Sequence, residues 1–149
     1  MKLFFDTNIL IDHALMRLTG QPIEISYIMY WANMHGIEIF ISPCCIYTIT
    51  FVLHKNGIRG NGLRHILEQY LQILNLCNTN KDLFLKGLKS SFKDLEDSFQ
   101  YMHGIGSQCD YLLTSNLSDF KPYADSEIKV LSPAQFINDV LNKKPGMDL

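Results

Sequence analysis

Three carboxylates stand next to short apolar runs in a pattern that could hold a divalent cation. Asp6 comes directly after an apolar run at the start of the chain. Asp119 follows a second apolar run, and Asp97 lies in an acidic segment that precedes that run. Carboxylates brought together from separate segments repel one another, and a site that tolerates them usually holds a cation. Mg²⁺ or Mn²⁺ fits best because such hard ions need few carboxylates and keep several waters.

Short strands that alternate with helices are predicted to position these residues. Apolar runs predict strands at 2–5, 37–41, 74–77, 111–114 and 129–131. Amphipathic stretches and capping residues predict helices at 9–18, 24–35, 43–55, 63–76, 80–88, 92–104 and 133–141. Such alternation predicts a parallel sheet covered by helices on both faces. Reactive groups in these sheets gather at the carboxyl ends of the strands, where Asp6 lies.

The acidic segment around Asp97 opens one of the predicted helices. A helical wheel predicts that its buried stripe consists of Leu95, Phe99 and Met102. The wheel places a second stripe beside the core, made of Asp94, Asp97 and Tyr101. It directs a third stripe to solvent, made of Glu96, Gln100 and His103. On this prediction Asp97 flanks the core and Glu96 faces water.

Composition and charge exclude several classes of protein. The chain has 149 residues, 47% of them hydrophobic and 19% charged, which excludes a disordered chain and predicts one domain over 1–149. A net charge of -2 excludes a protein that coats nucleic acid through bulk positive charge, but not an enzyme that contacts it locally.

No apolar run approaches the length of a membrane span, and the early carboxylate argues against a signal peptide. The four cysteines lack disulfide or zinc spacing, so we expect reduced thiols in the cytoplasm.

Three motifs resemble those of the PIN domain family. They are LFFDTNILID at the start of the chain, then DLEDSFQY, then CDYLLTSNLSDF, in the family's order over roughly residues 2–136. The resemblance implies a three-layer α/β/α sandwich with a mainly parallel sheet. It also implies metal-dependent endoribonuclease activity by phosphodiester hydrolysis. Many bacterial members are toxins of VapC-type toxin–antitoxin pairs, so the resemblance further implies a homodimer and a small antitoxin partner.

The resemblance assigns roles to individual residues of this chain. The acids that match the family's catalytic and metal-binding positions are Asp6, Asp97 and Asp119. The residues matched to supporting positions around them are Thr7, Asn8, Asp94, Thr114 and Asn116.

The chain departs from the family pattern at two positions. Most active members carry a glutamate on the helix after the second strand, and this chain has Thr48 there. Its hydroxyl could hold a metal-bound water, but the loss of a carboxylate is expected to weaken metal binding. Ser115 replaces an arginine that is common in the family, which removes one cation from the edge of the site.

Contacts with RNA are expected from the densest basic cluster of the chain. It contains Lys55, Arg59 and Arg64, with His54 and His65 beside them, and an ordinary solvated loop is the alternative explanation. The candidates for stacking on bases are Tyr47, Tyr101 and Trp31, each of which could instead belong to the core. The methionines and tyrosines of the second helix suit either a dimer or antitoxin surface or plain packing.

Two other interpretations are weighed against a nuclease. A receiver or haloacid-dehalogenase-like domain also places an aspartate after its first strand. However, the second of these needs Asp-x-Asp where this chain has Asp6-Thr7-Asn8, and a receiver needs a lysine at the end of the fifth strand, which Lys129 begins. The stronger alternative is a catalytically weakened PIN-like domain that binds RNA or a protein, and Thr48 is its main support.

Overall fold

Five parallel strands form one sheet in the computed structural model, which describes residues 1–120 and 127–143. The strands are β1 Lys2–Phe5, β2 Glu38–Ile41, β3 Asn75–Leu76, β4 Tyr111–Leu113 and β5 Lys129–Leu131. Their order is β3-β2-β1-β4-β5, so the chain builds outward from β1 on one side and then crosses to the other. The strand order therefore reverses between β1 and β4, and the predicted parallel sheet is confirmed.

Helices connect the strands, as the alternating pattern predicts. They are α1 Thr7–Ala14, α2 Pro22–His35, α3 Pro43–Lys55, α4 Gly60–Ile73, α5 Lys81–Lys89, α6 Leu95–Gly106, α7 Leu117–Phe120 and α8 Pro133–Gln135. A 3-10 turn follows α1, and α8 continues as a π-helical segment over Phe136–Val140. Among the described residues, no helix combines the length and the apolar character that a bilayer crossing requires.

Both faces of the sheet are buried, because the strand residues alternate between two apolar clusters. Leu3 and Phe5 of β1 belong to the larger cluster, which also contains buried residues of α1, α2, α3 and α4. Phe4 points to the opposite face, where Leu112 of β4 and Tyr101 of α6 join it. Helices therefore cover the sheet on both sides, and the expected three-layer α/β/α sandwich is confirmed.

Several helices begin where capping side chains satisfy free backbone N–H groups. The Ser42 side chain accepts a hydrogen bond from the Cys44 N–H at 3.2 Å at the start of α3. Ser132 does the same for the Gln135 N–H at 3.1 Å, and the Gln135 side chain accepts from the Ser132 N–H in return. Each serine precedes a proline in the first helical position, so both starts are predictable from the sequence.

Four helix starts differ from the prediction, and one of them is α2, which begins at Pro22 rather than Glu24. α1 begins at Thr7 rather than Ile9, and Asp6 stands at the capping position without a side-chain bond to the helix. α4 begins at Gly60 rather than Leu63, so the predicted glycine-rich connection forms its first turn. α6 begins at Leu95 instead of near residue 92, because the Asp94 side chain caps it.

Candidate active site

Asp6 lies at the carboxyl end of β1, where the strand order reverses. Its side chain is 2% exposed, and its Oδ2 accepts a hydrogen bond of 2.9 Å from the Thr114 hydroxyl. Its backbone N–H donates to the Leu113 carbonyl at 3.0 Å, which ties the ends of β1 and β4 together. Ligands of open parallel sheets commonly bind at this point of strand reversal. The Asp6 carboxylate is therefore held in a fixed orientation at a position suited to binding.

Asp97 brings a second carboxylate to the same place from the first turn of α6. Its side chain is 7% exposed, and its backbone N–H donates to Asp94 Oδ1 at 3.1 Å. The cap made by Asp94 fixes the start of α6, and with it the position of Asp97.

The two buried carboxylates have raised pKa values. Burial raises the pKa of Asp6 from 3.8 to about 7, although the hydrogen bond from the Thr114 hydroxyl opposes the shift. Burial also raises the pKa of Asp97 to about 7, and the negative charge of Asp6 is the second cause. Both shifts mean that the ionised forms are penalised where they stand. A bound cation would relieve this penalty.

Three further acids stand at the exposed edge of this pair. Asp94, Glu96 and Asp119 are all exposed, and the charge of each contributes to the raised pKa of Asp97. The charge of Glu96 also raises the pKa of Asp6, so its carboxylate is part of the electrostatic surroundings of the site. The helical wheel assigned Glu96 to solvent and correctly predicted its exposure, but it missed this proximity.

A buried polar group behind the site was not predicted. Gln100 was expected in solvent, yet it is 3% exposed and its Nε2 donates to the Thr7 hydroxyl at 3.1 Å. Within the described part of the chain, its Oε1 has no hydrogen-bond partner. Thr7 also hydrogen-bonds the Cys45 thiol, and burial raises the pKa of this thiol to about 12. Thr7 thus connects α6 to the first turn of α3.

The loop after β4, α1 and the 3-10 turn line a polar cleft. The cleft has a volume of about 290 Å³ and is lined by Asn8, Asp12, Arg17, Thr19, Ser115 and Asn116. The Ser115 hydroxyl donates to Asp12 Oδ2 at 2.9 Å, and Arg17 Nη1 lies 3.5 Å from Asp12 Oδ1. Arg17 therefore places a cation next to the position where Ser115 replaces the family's arginine. Nothing in the local sequence pattern pointed to Arg17, which reaches the loop through Asp12.

Thr48 does not join the hydrogen-bonded groups around Asp6. It is half-buried on α3, and its hydroxyl lies 3.5 Å from the Cys44 carbonyl of the same helix. The position aligned with the missing glutamate thus carries a hydroxyl directed to its own helix.

The candidate RNA-contacting residues lie apart from the carboxylates along the chain. Lys55 ends α3, Arg59 stands just before α4 and Arg64 lies within α4, and all three are exposed. Two of the aromatic candidates are unsuited to stacking on bases, because Tyr101 is 2% exposed and Trp31 is 9% exposed. For these two residues the alternative of a place in the core therefore holds.

The donor set can be tested against the metal that the resemblance implies. Among the described residues, no group of three or more His, Cys, Asp or Glu side chains is placed to hold a metal by itself. Mg²⁺ usually binds through one or two carboxylates and keeps several waters, whereas structural zinc needs four protein ligands. The buried pair Asp6 and Asp97 therefore fits Mg²⁺ or Mn²⁺ with retained waters.

Comparison with known families agrees with this geometry. The family model described as PIN domain matches residues 2–118. A comparison with curated proteins finds no match. The matched range contains Asp6, Asp97 and Thr114, which the fold brings together at the carboxyl ends of β1 and β4. The chain therefore belongs to the PIN domain family and has its nuclease-type fold.

Proposed function

We propose that this protein is a divalent-metal-dependent endoribonuclease that hydrolyses phosphodiester bonds. The observation that carries the proposal is the pair of Asp6 and Asp97, two carboxylates buried at the point of strand reversal. Their mutual repulsion and their burial both favour a bound cation, and the family to which the chain belongs consists generally of nucleases.

Asp6 and Asp97 would hold Mg²⁺ or Mn²⁺, directly or through water. When bound, the ion would supply Lewis acidity, which would lower the pKa of an attacking water and offset negative charge on the leaving oxygen. The Thr114 hydroxyl keeps Asp6 in place from β4, and Gln100 acts on the same region through Thr7. The exposed acids at the edge of the site attract cations to it.

The site has no need of a covalent nucleophile. The Cys45 thiol is the nearest candidate on α3, but its pKa of about 12 keeps it protonated at neutral pH. Hydrolysis by water is therefore the reaction we propose, with RNA phosphate held near Asn116 and Arg17 of the polar cleft.

We propose single-stranded RNA as the substrate, with Lys55, Arg59 and Arg64 contributing positive charge. A toxin role, a homodimer and an antitoxin partner are proposals that rest on the family resemblance. A cytoplasmic location is a proposal that rests on the four unpaired cysteines. Exposed Tyr30 and Met34 on α2 support a protein contact there, whereas Met29 of the same helix is buried. A small gene directly upstream would support the toxin–antitoxin proposal.

Cleavage of an end-labelled single-stranded RNA tests the proposed activity. We expect the wild type to cleave with Mn²⁺ and not with EDTA, and Asp6→Asn and Asp97→Asn to cut at least about 100-fold more slowly. Asp82→Asn is the matched control, because this exposed carboxylate pairs with Lys86, and its neighbour Leu83 packs on Gly106 at the end of α6 opposite to Asp97. Cleavage by Asp6→Asn at the wild-type rate would contradict the proposal. A wild type that binds RNA but never cuts it would instead support the weakened, RNA-binding alternative suggested by Thr48.

A further inference from the structure

Two large aromatic side chains stand in solvent on one face of α3. Tyr47 is 83% exposed and Phe51 is 66% exposed. They are four residues apart in a helix, so they are neighbours on the same face. Lys55 follows at the same spacing, and its Nζ lies 5.8 Å from the centroid of the Phe51 ring. We call Tyr47, Phe51 and Lys55 the α3 row.

The α3 row lies in the part of the chain where positive charge is unopposed. No Asp or Glu occurs between Glu38 and Glu68 in the sequence. Arg59 and Arg64 follow the row, and in residues 1–120 and 127–143 neither they nor Lys55 form an ion pair. The surface thus combines exposed rings with cations that have no acidic partner among the described residues, although Arg59 Nε donates to the His54 carbonyl. This combination fits an anionic ligand with aromatic groups.

The α3 row starts next to the candidate active site. α3 begins directly after β2, at the same edge of the sheet as Asp6, and Cys45 in its first turn hydrogen-bonds Thr7. At 1.5 Å per residue, Tyr47 lies about 3 Å and Phe51 about 9 Å along the helix axis from Cys45. Tyr47 faces away from buried Cys45, so a strand bound along the row would pass around the start of α3 to reach the carboxylates.

We propose that the α3 row binds single-stranded nucleic acid by stacking unpaired bases on Tyr47 and Phe51, while Lys55 contacts phosphate. The choice of RNA as the physiological ligand rests on the proposed ribonuclease function. Aromatic faces combined with a basic track are how proteins bind single strands without sequence preference. Bases in a duplex are already stacked, so the row is expected to favour unpaired RNA over double-stranded RNA.

Binding of a fluorescein-labelled U-rich 12-mer RNA, followed by anisotropy in EDTA, tests this proposal without cleavage. We expect Tyr47→Ala and Phe51→Ala each to weaken binding by about 5-fold or more, and the double variant by about 30-fold. Tyr47→Phe should bind like the wild type, because the ring remains. Leu88→Ala is the control, since Leu88 is 55% exposed on α5, outside the proposed contacts, and its loss should leave the affinity unchanged.

Salt dependence separates stacking from charge. Lys55→Gln should reduce the slope of log affinity against log salt by about 0.7, the value for one phosphate contact on a single strand. The aromatic variants should leave that slope unchanged while lowering affinity at every salt concentration.

Four results would overturn the proposal. The first is no RNA binding by the wild type, and the second is an affinity of the double variant within 2-fold of the wild type. The third is an equal loss for Leu88→Ala. The fourth is a wild-type dimer that the double variant converts to monomer without loss of RNA affinity, which would make the row a contact between two copies of the chain. If the protein cleaves RNA and the α3 row variants bind RNA like the wild type, this inference alone is refuted. If RNA binding depends on the α3 row but the protein does not cleave RNA, the proposed activity alone is refuted.

Discussion

Replacing Asp6 with asparagine should stabilise the metal-free protein at pH 8. The Asp6 carboxylate is 2% exposed, and burial raises its pKa from 3.8 to about 7. Asparagine has nearly the same shape, and its side-chain oxygen can still accept the hydrogen bond from the Thr114 hydroxyl. The substitution therefore removes the penalised charge and keeps the main contact.

The sign and size of the effect follow from the two pKa values. Because the folded-state pKa is the higher one, the contribution of Asp6 to stability is fully present below about pH 4 and is lost as the pH rises to about 7. At 1.36 kcal/mol per pKa unit, the full shift corresponds to about 4 kcal/mol. About 2 to 3 kcal/mol of this contribution to stability is lost between pH 5 and pH 8. The free energy of unfolding of Asp6→Asn should therefore exceed that of the wild type by about 2 to 3 kcal/mol more at pH 8 than at pH 5.

Urea unfolding in EDTA at pH 5, 6, 7 and 8 measures this difference. The control variant Asp82→Asn removes an exposed carboxylate, so its difference from the wild type should be the same at pH 6 and pH 8. Adding Mn²⁺ at 100 times its Kd should stabilise the wild type by about 2.7 kcal/mol and Asp6→Asn by much less.

A difference between wild type and Asp6→Asn that stays constant from pH 5 to pH 8 would refute the reasoning. It would mean that the Asp6 pKa is the same in the folded and unfolded states, so that burial exerts no net penalty on the carboxylate. A variant less stable than the wild type at pH 8 in EDTA would be equally incompatible with it.

Three other substitutions test separate parts of the structure. Gly20→Ala should lower the free energy of unfolding by about 1 to 3 kcal/mol in urea titrations, because a Cβ there overlaps the Asp12 side chain; stability equal to the wild type would contradict this packing. Gln100→Leu removes the bond to Thr7, so Mn²⁺ affinity in calorimetry should fall by about 10-fold, while an affinity unchanged from the wild type would exclude a positioning role. Thr48→Glu should raise Mn²⁺ affinity by restoring a carboxylate, and an unchanged or weaker affinity would show that this position does not face the metal.

Most of the sheet was predictable because its signals are local. Apolar runs identified all five strands, and Asp6 was expected at a strand end because a carboxylate directly follows a buried run. Ser42-Pro43 and Ser132-Pro133 marked helix starts through their own side chains. These features depend on residues close together in the chain, so they can be predicted from the sequence.

The buried side of α6 was wrongly predicted because it depends on distant segments. The helical wheel placed an apolar stripe of α6 against the core, but part of this stripe faces α5. Phe99 packs there on Phe84 of α5, with ring centroids 5.1 Å apart. Leu95 of the same stripe is 47% exposed. Gln100 and His103 turn inward instead, since Thr7 and Thr79 supply hydrogen-bond partners for them. A helical wheel ranks polar residues as exposed and has no knowledge of such partners.

The edge of the site was also beyond local inference. Glu96 influences both buried aspartates through space, although its position on the wheel points to solvent. Arg17 reaches the loop after β4 through Asp12 and Ser115. Glu96 and Asp6 are far apart in sequence, as are Ser115 and Asp12, so local patterns could not relate them.

Titration of Mn²⁺ into the metal-free protein, followed by calorimetry, tests the central claim most directly. The claim is that Asp6 and Asp97 together hold one divalent ion. We predict saturable binding by the wild type and by Asp82→Asn, and a loss of at least about 100-fold in affinity for both Asp6→Asn and Asp97→Asn. Wild-type affinity in either of the two site variants, or no binding by the wild type, would contradict the claim.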